Sequence, residues 1–306
     1  MSLSSKTYPS SPKISIGIPV YNGERFLRTC LRSLLAQTFT NFEIIISDNG
    51  STDSTRSICL EFAEKDDRIR YIRQNKNIGA VPNFHFVLQK AVGKYFMWAA
   101  VDDYWLPEFI NKNIDVLESD ETIVSSISDF RWYYNTDENN NSDVKNTIEN
   151  SIKHIKYLHS FYGTYKERIN LFLKIFQASE IYAIHRTDKI KLDFIQDSFW
   201  MWDNAVILNI LKHGNFHVLD EVLMYRYTRG SSRGTIKILS NSNVNPLKII
   251  FLGIPFTFWC LRNLGLKILT KHRLFFFKTN LRGEYIVIAE LTRMIKRMIF
   301  RQEKHW

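Results

Sequence analysis

The chain has 306 residues, 45% of them hydrophobic and 24% charged, with a formal net charge of +10. That is an ordinary globular composition with ample material for a core, enough for one large domain or a domain with an appendage. Its three scattered cysteines, Cys30, Cys59 and Cys260, show no C-x-x-C or zinc spacing, which excludes a disulfide framework and fits a reduced, cytosolic compartment. The charge is unevenly spread: residues 1–232 carry 27 Lys+Arg against 28 Asp+Glu, whereas residues 233–306 carry 14 against 3.

The polar start, MSLSSKTYPSSPK, has no apolar run of the signal-peptide type. Ile14, Ile16, Ile18 and Val20 alternate with Ser15, Gly17 and Pro19, which predicts a strand. Tyr21-Asn22-Gly23 reads as a turn, with Asn22 as helix N-cap, and a helix follows from Glu24 to Gln37. Phe42 to Ser47 is almost continuously apolar, as in a buried parallel sheet. A polar loop at Asp48–Asp53 leads into a helix through Ala63, with Asp53 read as its cap. A short strand at Arg68–Arg73, a turn at Asn75–Gly79 and a helix at Asn83–Val92 come next.

Tyr95 to Ala100 then reads as an aromatic-rich buried strand that delivers Asp102 and Asp103, and Pro107 can open the following helix. A strand at Ile123–Ile127 precedes an Asn/Asp-rich loop at Asn135–Asn150. Helical spacing runs over Ile152–Gln177 and Ser198–His213, with Gly214 as the stop, and Phe216–Tyr227 is strand-like.

This alternation predicts an α/β fold with a doubly wound, mostly parallel sheet, on which ligands bind beyond the carboxyl ends of the strands. The turns at Tyr21–Gly23, Asp48–Asp53 and Asp102–Trp105 each follow a strand and would share that edge. The adjacent carboxylates Asp102 and Asp103 suit a hard cation that also binds substrate phosphates. Neither G-x-G-x-x-G nor G-x-x-x-x-G-K-[ST] occurs, which argues against a dinucleotide oxidoreductase and a P-loop enzyme.

The basic tail also holds many aromatic residues, among them Phe256, Phe258, Trp259 and Phe275–Phe277. Basic plus aromatic reads as an anionic membrane surface. Its longest uncharged run, Ile249–Leu261, contains Pro255 and is short of the roughly 17–25 residues of a spanning helix. Thr292–Arg301 is two-sided, with Met294, Ile295, Met298 and Ile299 opposite Arg293, Lys296, Arg297 and Arg301. The near-neutral remainder argues against nucleic acid as a partner.

Four ordered segments resemble family 2 glycosyltransferases of the GT-A fold. They are ISIGIPVYNGERFLRTCLRSLLAQT, IIISDNGSTDST, NKNIGA and GKYFMWAAVDDYWLPEF. The resemblance runs over about residues 13–232. It implies that Pro19, Tyr21 and Asn22 line a nucleotide pocket, with Glu24 at the start of the next helix. Asp48 would accept a hydrogen bond from the base, and Asn77 and Gly79 would form the turn near base and ribose. Asp102 matches the ribose-side carboxylate and Asp103 the metal ligand, with Asp102 beside it as a second donor. Asp203, at the start of a helix ended by Gly214 and followed by Tyr225-Arg226, matches the catalytic base; Asp197 is the runner-up. Trp202 stands where many members have Glu, and no His follows Arg226 in Thr228–Arg233. Arg226, Arg229 or Arg233 would then supply positive charge to the diphosphate. An Asp103→Ala change is expected to remove a ligand without touching the core.

The implied reaction is inverting transfer from a nucleotide sugar to an acceptor hydroxyl with Mg²⁺ or Mn²⁺. The implied setting is bacterial surface polysaccharide, with a glycan or lipid-linked acceptor at the inner face of the cell membrane. The expected division is a flexible start (1–12), a transferase unit with a nucleotide-sugar half (13–120) and an acceptor half (121–232), and a basic helical tail (233–306). The competing readings are a nucleotidyltransferase, which would release pyrophosphate, and a non-catalytic module that holds anionic partners through the tail.

Overall fold

The computed structural model describes residues 11–133, 157–176, 179–192, 195, 197–227 and 251–302. Residues 135–150, read from the sequence as a loop, Arg229, Arg233 and most of 1–12 lie outside the described residues.

In the first half, β1 (Ile14–Val20), α1 (Glu24–Leu35), β2 (Phe42–Asp48), α2 (Thr55–Lys65), β3 (Ile69–Arg73), α3 (Ala80–Lys90) and β4 (Tyr95–Trp98) alternate. Then come β5 (Tyr104–Trp105), α4 (Phe109–Ser119), β6 (Ile123–Tyr133), α5 (Tyr165–Ile175) and a 3₁₀ turn at Ser179–Tyr182. β7 (Ile184–Arg186), α6 (Thr187–Leu192), α7 (Trp202–His213) and β8 (Asn215–Tyr227) follow. The tail is helical, as α8 (Gly253–Leu264), α9 (Leu266–Lys271) and α10 (Arg273–Gln302).

The strands form one eight-stranded sheet in the order β3-β2-β1-β4-β7-β6-β8-β5. The first four are mutually parallel, in a register that sets Val20 opposite Asp48 and Asp48 opposite Arg73. The turns after β1, β2 and β4 therefore open on one edge. β7 runs antiparallel between β4 and β6, and β6 pairs β8 in parallel. The mostly parallel, doubly wound sheet read from the sequence is the observed one.

Ser15 and Gly17, which alternate with the isoleucines of β1, are buried as well. Helices cover both faces, as a parallel sheet requires. A Cβ on Gly17 would sit 2.6 Å from Val87 Cγ2, so only glycine lets α3 lie this close to the sheet. The hydroxyl of Ser15 donates to Glu43 Oε1 at 2.6 Å and accepts the amide of Gly93 at 2.9 Å, which satisfies the buried polar groups.

Several boundaries differ from the sequence reading. β6 continues past Ile127 to Tyr133, because Asp129 within it is fully buried and accepts the amides of Tyr157 and Leu158. Within the described part of Ile152–Gln177, the helix starts only at Tyr165. Gly163 there has φ +94°, and Thr164 and Glu167 form a reciprocal capping box. Asn22 does not cap α1: the N-cap position is Gly23, and Asn22 is left-handed at φ 52°.

The tail packs on the rest of the chain. Phe256, Cys260 and Phe276 are buried in the main core, beside Phe176, which contacts Phe275 at 4.6 Å between ring centroids. Each such buried phenylalanine contributes about 1.5–3 kcal/mol. α8 and α10 meet at Gly253, where a Cβ would lie 2.5 Å from Asn280 Oδ1. Among the described residues, no helix is long and apolar enough to cross a membrane.

Candidate active site

The loops after β1 and β2 are laced together by hydrogen bonds. Thr52 N–H donates to Asn22 Oδ1 at 2.8 Å, and Asn22 N–H donates to Ser51 Oγ at 2.9 Å. Gly23 N–H donates to Thr55 Oγ1 at 2.8 Å and Ser54 N–H to Glu24 Oε2 at 2.9 Å. Asp53 accepts both Glu24 N–H at 3.1 Å and Thr55 N–H at 3.0 Å, so it ties the two loops together; it is not the cap of α2, whose N-cap position is Ser54. Asn22 and Glu24 thus spend their side chains on the shape of this loop pair. Tyr21 is exposed beside them, and Pro19 is half-buried in β1.

Asp48 ends β2 with no exposed surface. Its Oδ1 accepts Ser51 N–H at 2.8 Å, and its Oδ2 accepts Tyr71 O–H at 2.8 Å and Arg73 Nη1 at 3.1 Å. Asn49, which sequence reading missed, is the link to the third loop. It donates to Asn77 Oδ1 at 3.0 Å and Gly79 O at 3.1 Å, and accepts Ile78 N–H at 2.8 Å. Asp48, Asn77 and Gly79 are thereby brought together, with Tyr71 and Arg73 as further members that the sequence did not single out.

The acid pair sits just past β4, buried on both counts: Asp102 is 7% exposed and Asp103 3%. Tyr133 O–H donates to the Asp102 carbonyl at 2.9 Å. β5 pairs antiparallel with β8, matching Tyr104 to Tyr225, and this brings Arg226 to Asp103. The Nε–Oδ2 distance is 3.3 Å. Burial pushes the Asp103 carboxyl up to about 7, against the pull of Arg226 and with a further push from Asp102. Arg226 also donates to Ser179 Oγ at 2.6 Å, and its guanidinium lies 4.6 Å from the Tyr182 ring centroid and 5.4 Å from that of Phe130. The expectation that Asp103 makes no core contact is overturned, because β5 places it in a buried ion pair.

Asp203 lies in the first turn of α7, half-buried, and its Oδ1 accepts Asn204 N–H at 2.9 Å and Asn204 Nδ2 at 3.0 Å. Met201, with φ 71°, is the residue at the N-cap position. Burial raises the Asp203 carboxyl, opposed by the Asn204 bonds and by Arg226. Asp197 is exposed in the segment before α7. Glu180 in the 3₁₀ turn is a second missed residue: it is 1% exposed and its Oε2 has no hydrogen-bond partner among the described residues. Burial pushes it up to about 8, with repulsion from Asp203 adding to the shift and Arg226 opposing it. Arg226 thus stands among the carboxyls of Asp103, Asp203 and Glu180. No spacing in the sequence links Glu180 to Asp203; only the fold does.

The donor set fits a divalent cation on its chemistry. Mg²⁺ takes one or two protein carboxylates and completes its shell with water and substrate phosphates. Asp102 and Asp103 offer that pair, and among the described residues no group of three or more His, Cys, Asp or Glu gathers to make a closed cage. His185, for instance, is committed to Ser125 Oγ at 2.8 Å and Ile181 O at 3.1 Å.

Residues 15–188 match the family model described as Glycosyl transferase family 2. A putative glycosyltransferase of Bacillus subtilis, EpsH, is 32% identical over 198 residues, which is 62% of this chain and 55% of that protein. An uncharacterized glycosyltransferase of Rickettsia typhi is 39% identical over 107 residues, 35% of this chain and 32% of its own length. The chain thus spans from about a third to about half of these relatives. Among solved structures, S. aureus TarS 1-349 in complex with UDP-GlcNAc superposes with TM-score 0.56 at 18% identity, over 91% of this chain and 85% of that one. The mannosyltransferase PcManGT of Pyrobaculum calidifontis, in complex with GDP-Man and Mn²⁺, gives TM-score 0.56 at 13% identity, over 93% and 75%. These structures share the GT-A fold with this chain.

Proposed function

We propose that this chain, which belongs to glycosyl transferase family 2, transfers a sugar from a nucleoside-diphosphate sugar to an acceptor hydroxyl with inversion. The observation that carries the reading is the gathering of Asp103, Asp203 and Glu180 around Arg226 at the sheet edge where the Asp48–Asn49–Asn77 loops meet. The two laced loops and Asp48 would hold the nucleotide. Asp102 and Asp103 would hold Mg²⁺ or Mn²⁺, which would neutralise charge on the departing diphosphate. Arg226 is the cation already present beside Asp103, placed to share that charge.

Asp203 would take the proton of the acceptor hydroxyl as it attacks, a contribution of about 10²–10⁴-fold. Its partial burial and raised affinity for a proton suit that role. Attack opposite the leaving group in a single displacement gives inversion, and alignment of the two reactants is the remaining requirement. Residues 13–232 would form the transfer unit, and the tail would rest on the cytoplasmic membrane face, where a lipid-linked acceptor for surface polysaccharide would be met.

The test is incubation of the full chain with a panel of nucleoside-diphosphate sugars and Mn²⁺, reading the released nucleotide. Release of nucleoside diphosphate that Asp203→Asn suppresses supports the reading. Release of pyrophosphate points to nucleotidyl transfer, and no turnover with any donor and a lipid-extract acceptor overturns it.

A further inference from the structure

A groove of about 990 Å³ separates α5 from the α9–α10 junction, away from the acid cluster. Lys174, Lys271, Arg273 and Lys278 line it, with Glu167 as the one carboxylate among the described lining residues. None of the four cations makes an ion pair with a described residue. His272 Nε2 and Asn170 Oδ1, 2.8 Å apart, pin the junction to α5, and Phe275 docks on Phe176, so the groove walls are fixed by packing. Among the described residues the four cations share one lining carboxylate, Glu167, so the groove carries an excess of positive charge. The 30-residue helix α10 also begins at Arg273, so its positive end adds to the field in the groove.

A second feature adjoins the first. Leu274, Phe277, Leu281, Tyr285 and Ile288 are each more than half exposed, and their spacing puts them on one face of α10. Leu274 lines the groove itself. The face therefore starts at the cationic groove and runs along the helix for roughly 20 Å. Lys278 and Arg282 flank it on one side and Glu284 on the other. A cationic groove continuous with an apolar helix face fits a ligand that is anionic at one end and apolar beyond it, arrayed over a surface.

We propose that this groove and face form a docking site for anionic membrane phospholipid, with the headgroup phosphate among Lys174, Lys271, Arg273 and Lys278 and the α10 face laid into the hydrocarbon boundary. The inference deepens the membrane reading made above and rests on it for the choice of ligand. It moves the contact from the two-sided segment Thr292–Arg301 to the first half of α10.

Flotation of the full chain with phosphatidylcholine vesicles, with or without phosphatidylglycerol, tests it. Binding is expected to require phosphatidylglycerol and to weaken with salt. The triple variant Lys271→Glu, Arg273→Glu, Lys278→Glu should lose about 100-fold or more in partition. Phe277→Ser with Leu281→Ser should also weaken binding while leaving its dependence on phosphatidylglycerol in place. Thermal melting and donor turnover in vesicle-free buffer, both unchanged in the triple variant, would show that its fold and site persist. If Arg293→Glu, Lys296→Glu, Arg297→Glu abolishes flotation and the groove variant floats normally, this proposal fails and the membrane reading survives. If no vesicle is bound, both fail. Tight binding of glycerol 3-phosphate alone without flotation would make the groove a soluble-anion site and overturn the lipid assignment.

Discussion

Asp103 Oδ2 and Arg226 Nε stand 3.3 Å apart, one step beyond the last matched pair of the β5–β8 ladder. Asp103 is buried at 3% exposed and Arg226 is half-buried at 16%, so breaking the pair from one side leaves a poorly solvated charge without its partner. Arg226→Met is expected to cost about 3–5 kcal/mol in urea denaturation at neutral pH. Adding Asp103→Asn to it should restore part of that loss. A double variant no more stable than Arg226→Met alone would deny that the pair is coupled.

Asp103→Ala should abolish Mn²⁺-stimulated turnover and, because Arg226 is left behind, lower stability as well. Asp103→Asn should abolish turnover with the smaller effect on melting. Equal melting of wild type and Asp103→Ala would contradict the buried pair.

Asp203→Asn keeps the shape and the hydrogen bonds of the side chain but cannot take a proton. kcat should fall by at least about 10² with donor KM nearly unchanged. A kcat within about threefold of wild type would move the base elsewhere, with Asp197 the next residue to test.

Glu180 gives a dependence on pH. Its carboxyl is raised from 4.5 to about 8 by burial, so the folded chain holds a proton that the unfolded chain releases. The stability this contributes is complete below 4.5 and is lost as pH rises through about 8. Glu180→Gln carries no such proton and has no such loss. Melting curves from about pH 5 to about pH 9 should therefore show the variant gaining on wild type by on the order of a few kcal/mol. Parallel curves would mean that Glu180 is not held neutral.

Asp48→Asn should weaken nucleoside diphosphate binding in calorimetry and also destabilise the chain by about 1–3 kcal/mol, since Arg73 and Tyr71 lose an ionised acceptor. Unchanged affinity with the expected loss of stability would make Asp48 purely structural.

The parallel half of the sheet and its site edge were legible because each strand is an apolar run closed by a polar turn, a local signal. So was the acid pair, which ends the most aromatic strand. What escaped depends on long-range pairing. Arg226 was read as a cation for the diphosphate, but its partnership with Asp103 exists only because β5 is laid against β8. Glu180 carried no signal in the sequence, since burial at that position is set by α7 and β4 packing against the 3₁₀ turn. The start of α5 was readable, because Thr164-x-x-Glu167 is a capping box, yet the apolar spacing upstream drew the helix too early. The Asn22 cap was misjudged for a related reason: its side-chain Oδ1 accepts the amide of Thr52, thirty residues away in sequence.

The cross-tied loops after β1 and β2 bear on the thermodynamics of ligand capture. Their backbone amides are already fixed by Asn22, Glu24, Ser51 and Asp53 before any nucleotide arrives. The conformational entropy of these segments is surrendered during folding, so little of it remains to be lost on association. Removing one tie would return that disorder to the free protein. Affinity would then fall through the entropy of binding, beyond whatever contact the removed side chain makes.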